Sequence, residues 1–571
     1  MEGSAGRRTV ENHDRLASLL AGADLARGRA PTAVDHAFVA DDADAGETFP
    51  QSVASGGPTP AGVILWTRLA PDAYDPAEGV GVEVAHDDAF EDVAFRGVVD
   101  SPERVRAHDH TLKVDLDGHL APDTEYCYRF VHDGVASRTG RCRTLPDPDS
   151  SPDSLRLGVL ACQNYVLGYY GALDHVAAAD LDFVLHVGDF IYESASDCFK
   201  GLGSRSYPDR DLTLPNGHDR VRDVDDYRAI YRAYRDDEHL QRLQERHTFI
   251  PAWDDHELVN DVYWDPETGA PAGDHPRSND PEFMTQLVAD ALHAWWEYMP
   301  ARLQYDPDAE HLHERFQLWR SVPFGDLVDL TLTDERLYRS PPRETLPTRR
   351  AVDPDREPPG RTMLGYPQRA WLLDRLTESS ARWTVWADEV LTIPFRMGAG
   401  RASLFPVQGG WDGYTRERRR LTRAIAADPP RNLVTLTGDM HAFLAGYKQT
   451  DYAVLGDGPG DRLGVEFMAP PTTSLNVAEA IGLSRGLRAK LTEPLLTKLV
   501  SLMNPHLEYV NAHRWGYSVV EFTRDSCTYL GYAVDKETPE DPKRELLVAF
   551  EVPDGEVELR NVTDERRGRE E

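Results

Sequence analysis

Leu181-Asp182-Phe183-Val184-Leu185-His186-Val187-Gly188-Asp189-Phe190-Ile191-Tyr192 is an apolar run that ends on a glycine, a carboxylate and a phenol. Its first half reads as a buried strand, and its end places charged chemistry at the carboxyl end of that strand. Two other stretches repeat the arrangement. Thr248 to Pro251 runs into Trp253-Asp254-Asp255-His256-Glu257, and Leu433 to Thr437 runs into Gly438-Asp439-Met440-His441. Asp439 and His441 alternate about Met440, so an extended backbone projects both to one side. Cys162 holds the same position after a fourth run, Leu157 to Leu160. Carboxylates, imidazoles, a thiol and a phenol collected at strand ends are the donor set of a two-metal hydrolytic centre. Tyr192 is the sharpest member, because a phenol that ordinarily ionises near pH ~10 becomes a ligand beside a strong Lewis acid, usually Fe(III). Taken one at a time, each group has an ordinary role: Asp189 as a helix cap, Asp254-Asp255 as an acidic loop, Cys162 as a core residue. Their common placement is what argues for a site.

Around these motifs strands and helices alternate. Helices are expected over Ala172 to Ala179, Asp225 to Gln244, Asn279 to Tyr298, Gln368 to Leu376 and Arg416 to Ala427. Further strands are expected over Leu327 to Thr333, Trp383 to Trp386, Gly516 to Thr523 and Leu546 to Val552. This is the grammar of an α/β domain, in which ligands bind beyond the carboxyl ends of the strands. Upstream, Val63 to Arg68, Val82 to Ala85, His110 to Val114 and Tyr126 to Phe130 are short strands with no helical period, which predicts a small β-sandwich. The divisions drawn are a polar leader (1–46), the N-terminal β-sandwich (47–146), a Pro/Asp/Ser linker (147–153), the catalytic domain (154–560) and a charged tail (561–571).

The chain has 571 residues and a formal net charge of −35, with 97 acidic side chains against 62 Lys and Arg, of which seven are Lys. Such a surface repels nucleic acid and anionic membranes. It resembles the Lys-poor acidic proteins of halophilic organisms, whose self-repulsion is screened by salt. Five cysteines at 127, 142, 162, 198 and 527 are too scattered for a disulfide framework or a zinc finger. No run of eighteen apolar residues appears, so no transmembrane segment is expected. Arg7-Arg8 suits a twin-arginine signal, but Glu11 to Arg15 interrupt the apolar stretch that such a signal requires next.

Several blocks together resemble the PhoD-like alkaline phosphatases/phosphodiesterases of the calcineurin-like metallophosphoesterase superfamily. They are Phe49 to Leu69, Ala161-Cys162-Gln163, Gly188 to Tyr192, Trp253 to Glu257, Thr362 to Gln368, Trp411 to Tyr414, Gly438 to His441 and Gly464 to Phe467, in that order over residues 48–525. The resemblance implies a metallophosphatase β-sandwich flanked by helices, preceded by a small all-β fibronectin-like or immunoglobulin-like domain. It implies a phosphoester hydrolase that uses a metal-bound hydroxide, with Fe3+ held by Cys162, Asp189, Tyr192 and His441. Asp189 would bridge to Ca2+ completed by Asp255 and Asp439, and His256 would contact the phosphate or protonate the leaving oxygen. Asn260, Arg235 and Arg336 are further substrate contacts to consider. Two positions depart from the pattern: Asp388-Glu389 stands where an amide pair is more usual, and Trp515 precedes Gly516-Tyr517 where His is expected. The family is typically secreted, whereas the sequence as given reads as cytoplasmic. A nucleotidase or a phospholipase D-like diesterase would use the same site. A catalytically silent, calcium-stabilised binding protein is the alternative outside enzymology.

Overall fold

The computed structural model describes residues 42–195, 199–342, 357–398, 405, 409–452 and 460–570. Most of the leader, with Arg7-Arg8, lies outside these residues, as does Cys198. Two large sheets face one another. The ten-stranded sheet runs in the order Arg560–Asn561, Arg544–Pro553, Ser526–Val534, Gly516–Thr523, Ser154–Leu160, Phe183–His186, Thr248–Pro251, Val53–Thr59, Gly62–Arg68, Thr111–Asp115. The seven-stranded sheet runs Arg320–Phe324, Val328–Leu332, Trp383–Ala387, Leu433–Thr437, Arg462–Met468, Phe443–Gln449, Leu507–Asn511. Apolar side chains from both fill the space between them, in one continuous core. Phe467 of one sheet stacks on Tyr529 of the other at 4.6 Å, and the Trp383 indole donates across the gap to the Thr523 carbonyl at 2.7 Å. Helices Tyr366–Glu378 and Thr415–Ala427 close the outer face of the smaller sheet around Trp386, Leu433 and Leu463. The expected α/β sandwich flanked by helices is the observed architecture.

In each sheet the central strands are parallel. Ser154–Leu160 pairs with Phe183–His186, and Phe183–His186 with Thr248–Pro251. In the other sheet Val328–Leu332, Trp383–Ala387, Leu433–Thr437 and Arg462–Met468 run together. Their carboxyl ends therefore form two rows, and the loops that leave them carry Cys162, Asp189 to Tyr192, Asp254 to Glu257, and Asp439 to His441.

The N-terminal strands do more than form a domain of their own. Val53–Thr59 pairs in parallel with Thr248–Pro251, so the ten-stranded sheet runs unbroken across the linker. Gly56 is required here, since a Cβ would stand 2.8 Å from the carbonyl oxygen of Phe249 in the paired strand and 2.2 Å from that of Pro300. A second sheet, built on Val80–Ala85, Val93–Val99 and Glu125–His132, covers those strands over a separate core of Val63, Leu65, Val82, Val84, Tyr128 and Phe130. Cys127 and Cys142 are buried free thiols on neighbouring strands. The helix expected over Asp225 to Gln244 is two, Val224–Arg235 and Glu238–Arg246. Asp237 accepts the amides of His239 and Leu240 and so starts a new helix. At the end of the chain the charged tail forms a helix, Thr563–Glu570.

Candidate metal centre

Three of the four strand ends present a candidate ligand through a sharp backbone turn. Cys162, Asp189, Asp439 and His441 all have left-handed backbone, with φ of 56°, 58°, 65° and 55°. Non-glycine residues rarely adopt that conformation, and strain of this kind clusters at functional sites. Gly188 precedes Asp189 with φ of 106°, and a Cβ there would lie 2.4 Å from the Cβ of Asp254. The two acidic loops thus approach through the one residue that has no side chain.

The turns bring the motifs together. Cys162, Asp189 and His441 each offer a donor atom within 4.8 Å of the others, and so do Asp189, Asp255 and His256. Asp254, Asp255 and Asp439 form a third such group. Asp189 belongs to the first two and Asp255 to the last two, so the donors form a chain across the cleft. The Tyr192 hydroxyl donates to Asp189 Oδ2 at 2.9 Å and lies 3.4 Å from His441 Nε2. The cluster opens to solvent on the side of Asp439 and His441, which are half-buried; Cys162, Asp189, Asp255 and His256 are buried.

Both imidazole rings are held through a hydrogen bond at Nδ1. His441 Nδ1 donates to the Leu475 carbonyl, which leaves the Nε2 lone pair toward Tyr192 and Asp189. Burial lowers its pKa to about 4, so the ring is neutral and fit to ligate. His256 is the opposite case. Burial disfavours its charge, but Asp189, Glu193 and Asp255 outweigh this and raise its pKa well above the ordinary value. Its Nδ1 is held 2.8 Å from Glu193 Oε2, leaving Nε2 available to a ligand. A charged His256 suits an anionic substrate and proton donation.

The carboxylates diverge in the same way. Burial pushes Asp189 up to about 6, with His256 opposing that and Asp255 adding to it. Burial also acts on Asp255, yet Arg336 and His256 hold it at about 2. Burial raises the Cys162 thiol and the Tyr192 phenol well above their usual values, and Asp189 adds to both. Groups held protonated by burial and crowded negative charge ionise when a cation is supplied. Asp189 Oδ1 is buried and has no hydrogen-bond partner. An unpaired carboxylate oxygen at the meeting point of two donor groups is what a bridging ligand needs.

Residues given no site role from the sequence support this arrangement. Glu257 accepts the amides of Asp189 (3.0 Å), Asp254 (2.8 Å) and Phe190, and so clamps two ligand loops together. Ser474 donates to the Tyr192 oxygen at 2.6 Å, and the Trp515 indole donates to the Ser474 carbonyl at 2.9 Å. The tryptophan that stands where His was expected therefore buttresses the phenol. Glu193 comes directly after Tyr192; that adjacency was the one available clue to its role in orienting His256.

Two proposed substrate contacts take other places. Arg235 is buried in the core, donating to Gln244 at 2.9 Å and to the Tyr298 carbonyl, with its guanidinium 4.0 Å from the Trp66 ring centre. Its partners are packing groups, so it is not a phosphate ligand in this arrangement. Arg336 does reach the centre, but it is consumed by Asp254, Asp439 and, at 3.4 Å, Asp255. It balances clustered carboxylates instead of offering a free cation. Asn260 sits near His256, with its amide to Glu193 at 3.0 Å and its side chain 3.3 Å from Asp274.

Behind Arg336, Glu335, Asp388 and Glu389 form another buried acidic group. Burial raises Glu335 to about 7 and the other two well above the carboxylate range. Asp388 accepts the Trp411 indole N–H at 2.9 Å, and Glu389 accepts the Glu335 amide at 3.0 Å. A protonated carboxyl, like an amide, has one donor side and one acceptor side. The acid pair at 388–389 can therefore do the hydrogen bonding of the amide pair it replaces.

Two rows of parallel strand ends, a shared buried aspartate and a thiol–phenol–imidazole set define the class: a hydrolase of the metallophosphoesterase kind. Residues 157–529 match the family model described as PhoD-like phosphatase, and residues 34–146 match the model for the N-terminal domain of PhoD-like phosphatases. The chain belongs to the PhoD-like phosphatase family and is an enzyme of phosphoester hydrolysis. It is 30% identical over 477 residues to alkaline phosphatase D of Bacillus subtilis (strain 168), covering 82% of this chain and 74% of that protein. A solved structure described as the structure of PhoD superposes with a TM-score of 0.75 at 26% identity, covering 92% of this chain and 93% of that one.

Proposed function

We propose that the chain hydrolyses phosphate esters at a centre of one iron(III) and one calcium ion bridged by Asp189. The observation that carries this reading is Asp189 itself, buried between two donor groups with Oδ1 unpaired. Cys162, Tyr192 and His441 supply the soft and phenolic donors that suit iron, and Asp255 and Asp439 the hard oxygens that suit calcium. When bound, such ions supply the positive charge that acidifies water and neutralises phosphoryl oxygens. The protein's own groups do the rest. Glu257 fixes the separation of the Asp189 and Asp254 loops. Glu193 aims His256, whose imidazolium binds the phosphoryl anion and delivers a proton to the departing alkoxide oxygen. Arg336 keeps Asp254 and Asp439 from repelling one another. The domain limits drawn at 47–146 and 154–560 are part of the same reading, with all the chemistry on the second.

The test is hydrolysis of a chromogenic phosphodiester and the matching monoester before chelation, after chelation, and after return of Fe3+ and Ca2+ singly and together. Recovery that needs both ions supports the reading; full activity in the chelated protein overturns it. The same assay run on nucleotides and on phospholipids separates a general diesterase from a nucleotidase or a phospholipase D-like enzyme.

A further inference from the structure

The helix Gly486–Met503 has no fully buried residue. Its inner side rests on the strand Leu507–Asn511, where Glu493 accepts from Asn511 at 2.7 Å, and Thr492 lies 3.2 Å from His513. Its outer side is unlike the rest of the molecule. Leu487, Leu491, Leu495, Leu499 and Leu502 recur every three or four residues, with exposures of 73%, 64%, 65%, 45% and 74%. The remaining exposed positions are Gly486, Arg488, Lys490, Pro494 and Lys498. Half of the exposed residues are therefore leucine, three are cations and none is acidic, in a chain of net charge −35. The single carboxylate of the helix is turned inward. Two of the seven lysines of the whole protein lie on this face.

We propose that this helix docks the protein on the surface of a bilayer containing anionic lipid, lying in the plane of the interface with its leucines among the acyl chains. An apolar stripe flanked by Lys and Arg is the pattern of an interfacial helix. At 1.5 Å per residue it is ~27 Å long, but no helix among the described residues is long and apolar enough to cross a membrane, so the helix lies on the surface. The acidity of the rest of the molecule does not forbid contact. Charges beyond a Debye length of about 10 Å at 0.1 M salt are screened, so the local cations decide. The same charge pattern argues against a second copy. A two-fold contact would set this face against itself, cation to cation. Val477, Ile481 and Leu202 are exposed as well, and the Leu202 amide donates to the Ala480 carbonyl at 3.0 Å.

The experiment is flotation of the purified full chain with vesicles of phosphatidylcholine alone and of phosphatidylcholine with phosphatidylglycerol. The wild type floats with the anionic vesicles and not with the neutral ones. Leu491→Glu/Leu495→Glu abolishes flotation, with thermal melting and hydrolysis of a soluble phosphodiester unchanged. Arg488→Ser/Lys498→Ser lowers partitioning about thirtyfold, at about 1 kcal/mol per cation. Failure of the wild type to float with anionic vesicles overturns the proposal, as does equal flotation of the leucine variant. A wild-type dimer that the leucine variant converts to monomer, with no flotation by either, assigns the face to self-association and also overturns it.

Discussion

Replacing Glu257 by Ala tests how the site is held together apart from any ion. Glu257 is fully buried, and its two oxygens accept the backbone N–H groups of Asp189, Phe190 and Asp254. Alanine leaves three buried donors without partners, at about 1–3 kcal/mol each. Water entering the vacated polar space brings the cost toward the lower end, about 3 kcal/mol. Against a total stability of order 5–15 kcal/mol, that is a large loss from a residue that is not itself a proposed ligand. Glu257→Gln keeps the volume and, like the carboxyl held protonated at neutral pH, offers one acceptor and one donor side, so a loss of about 1 kcal/mol or less is expected. Urea unfolding of chelated protein, monitored by tryptophan fluorescence, should rank wild type above Gln above Ala. An Ala variant within about 1 kcal/mol of wild type, or a Gln variant less stable than Ala, refutes the clamp.

His256→Ala should lower turnover of a poor-leaving-group ester about 10²–10⁴-fold with little change in melting temperature, checked by steady-state kinetics; near-wild-type turnover removes His256 from the chemistry. Tyr192→Phe should abolish any visible tyrosinate charge-transfer band of the iron-loaded protein, checked by its absorption spectrum; a band that survives assigns the colour to another group. In metal-free protein, Asp189 and Glu257 titrate near 6 and 8, both raised first by burial. Through these two groups the native state holds more protons than the unfolded chain between about pH 4 and 8. Their contribution to stability should therefore fall as pH rises through that window, and calorimetry in which wild type gains stability over Asp189→Asn/Glu257→Gln as pH rises contradicts this. Gly188→Ala should cost more than a helix or strand glycine does, because its Cβ meets the Asp254 loop at 2.4 Å; an unchanged melting temperature refutes the packing.

Much of this was legible in the sequence because parallel strands buried on both faces read as apolar runs, and the residues just past the end of each run build the site. Cys162, Asp189, Tyr192, Asp255, His256, Asp439 and His441 all meet where those runs predict. The continuity of the ten-stranded sheet across the linker was not legible, because the Val53–Thr59 pairing with Thr248–Pro251 joins segments nearly two hundred residues apart. The break at Asp236-Asp237 was hidden by an apolar period that persists through both helices, and only the capping preference of Asp marks it. Arg235 and Arg336 show the limit of reading charge alone. In a chain with 62 cations, which ones are free depends on tertiary partners, and these two are taken by Tyr298 and by the acidic loops. Glu257 and Ser474 act by holding other groups, a role with no signature in residue type.

The bridging role of Asp189 is the claim on which the rest depends. Elemental analysis of Asp189→Asn beside wild type, with phosphodiester hydrolysis measured on the same samples, tests it most directly. Wild type should hold iron and calcium, and the variant should be depleted of both metals and lose hydrolysis. A variant that keeps wild-type hydrolysis, or that loses hydrolysis while keeping both metals in full, contradicts it.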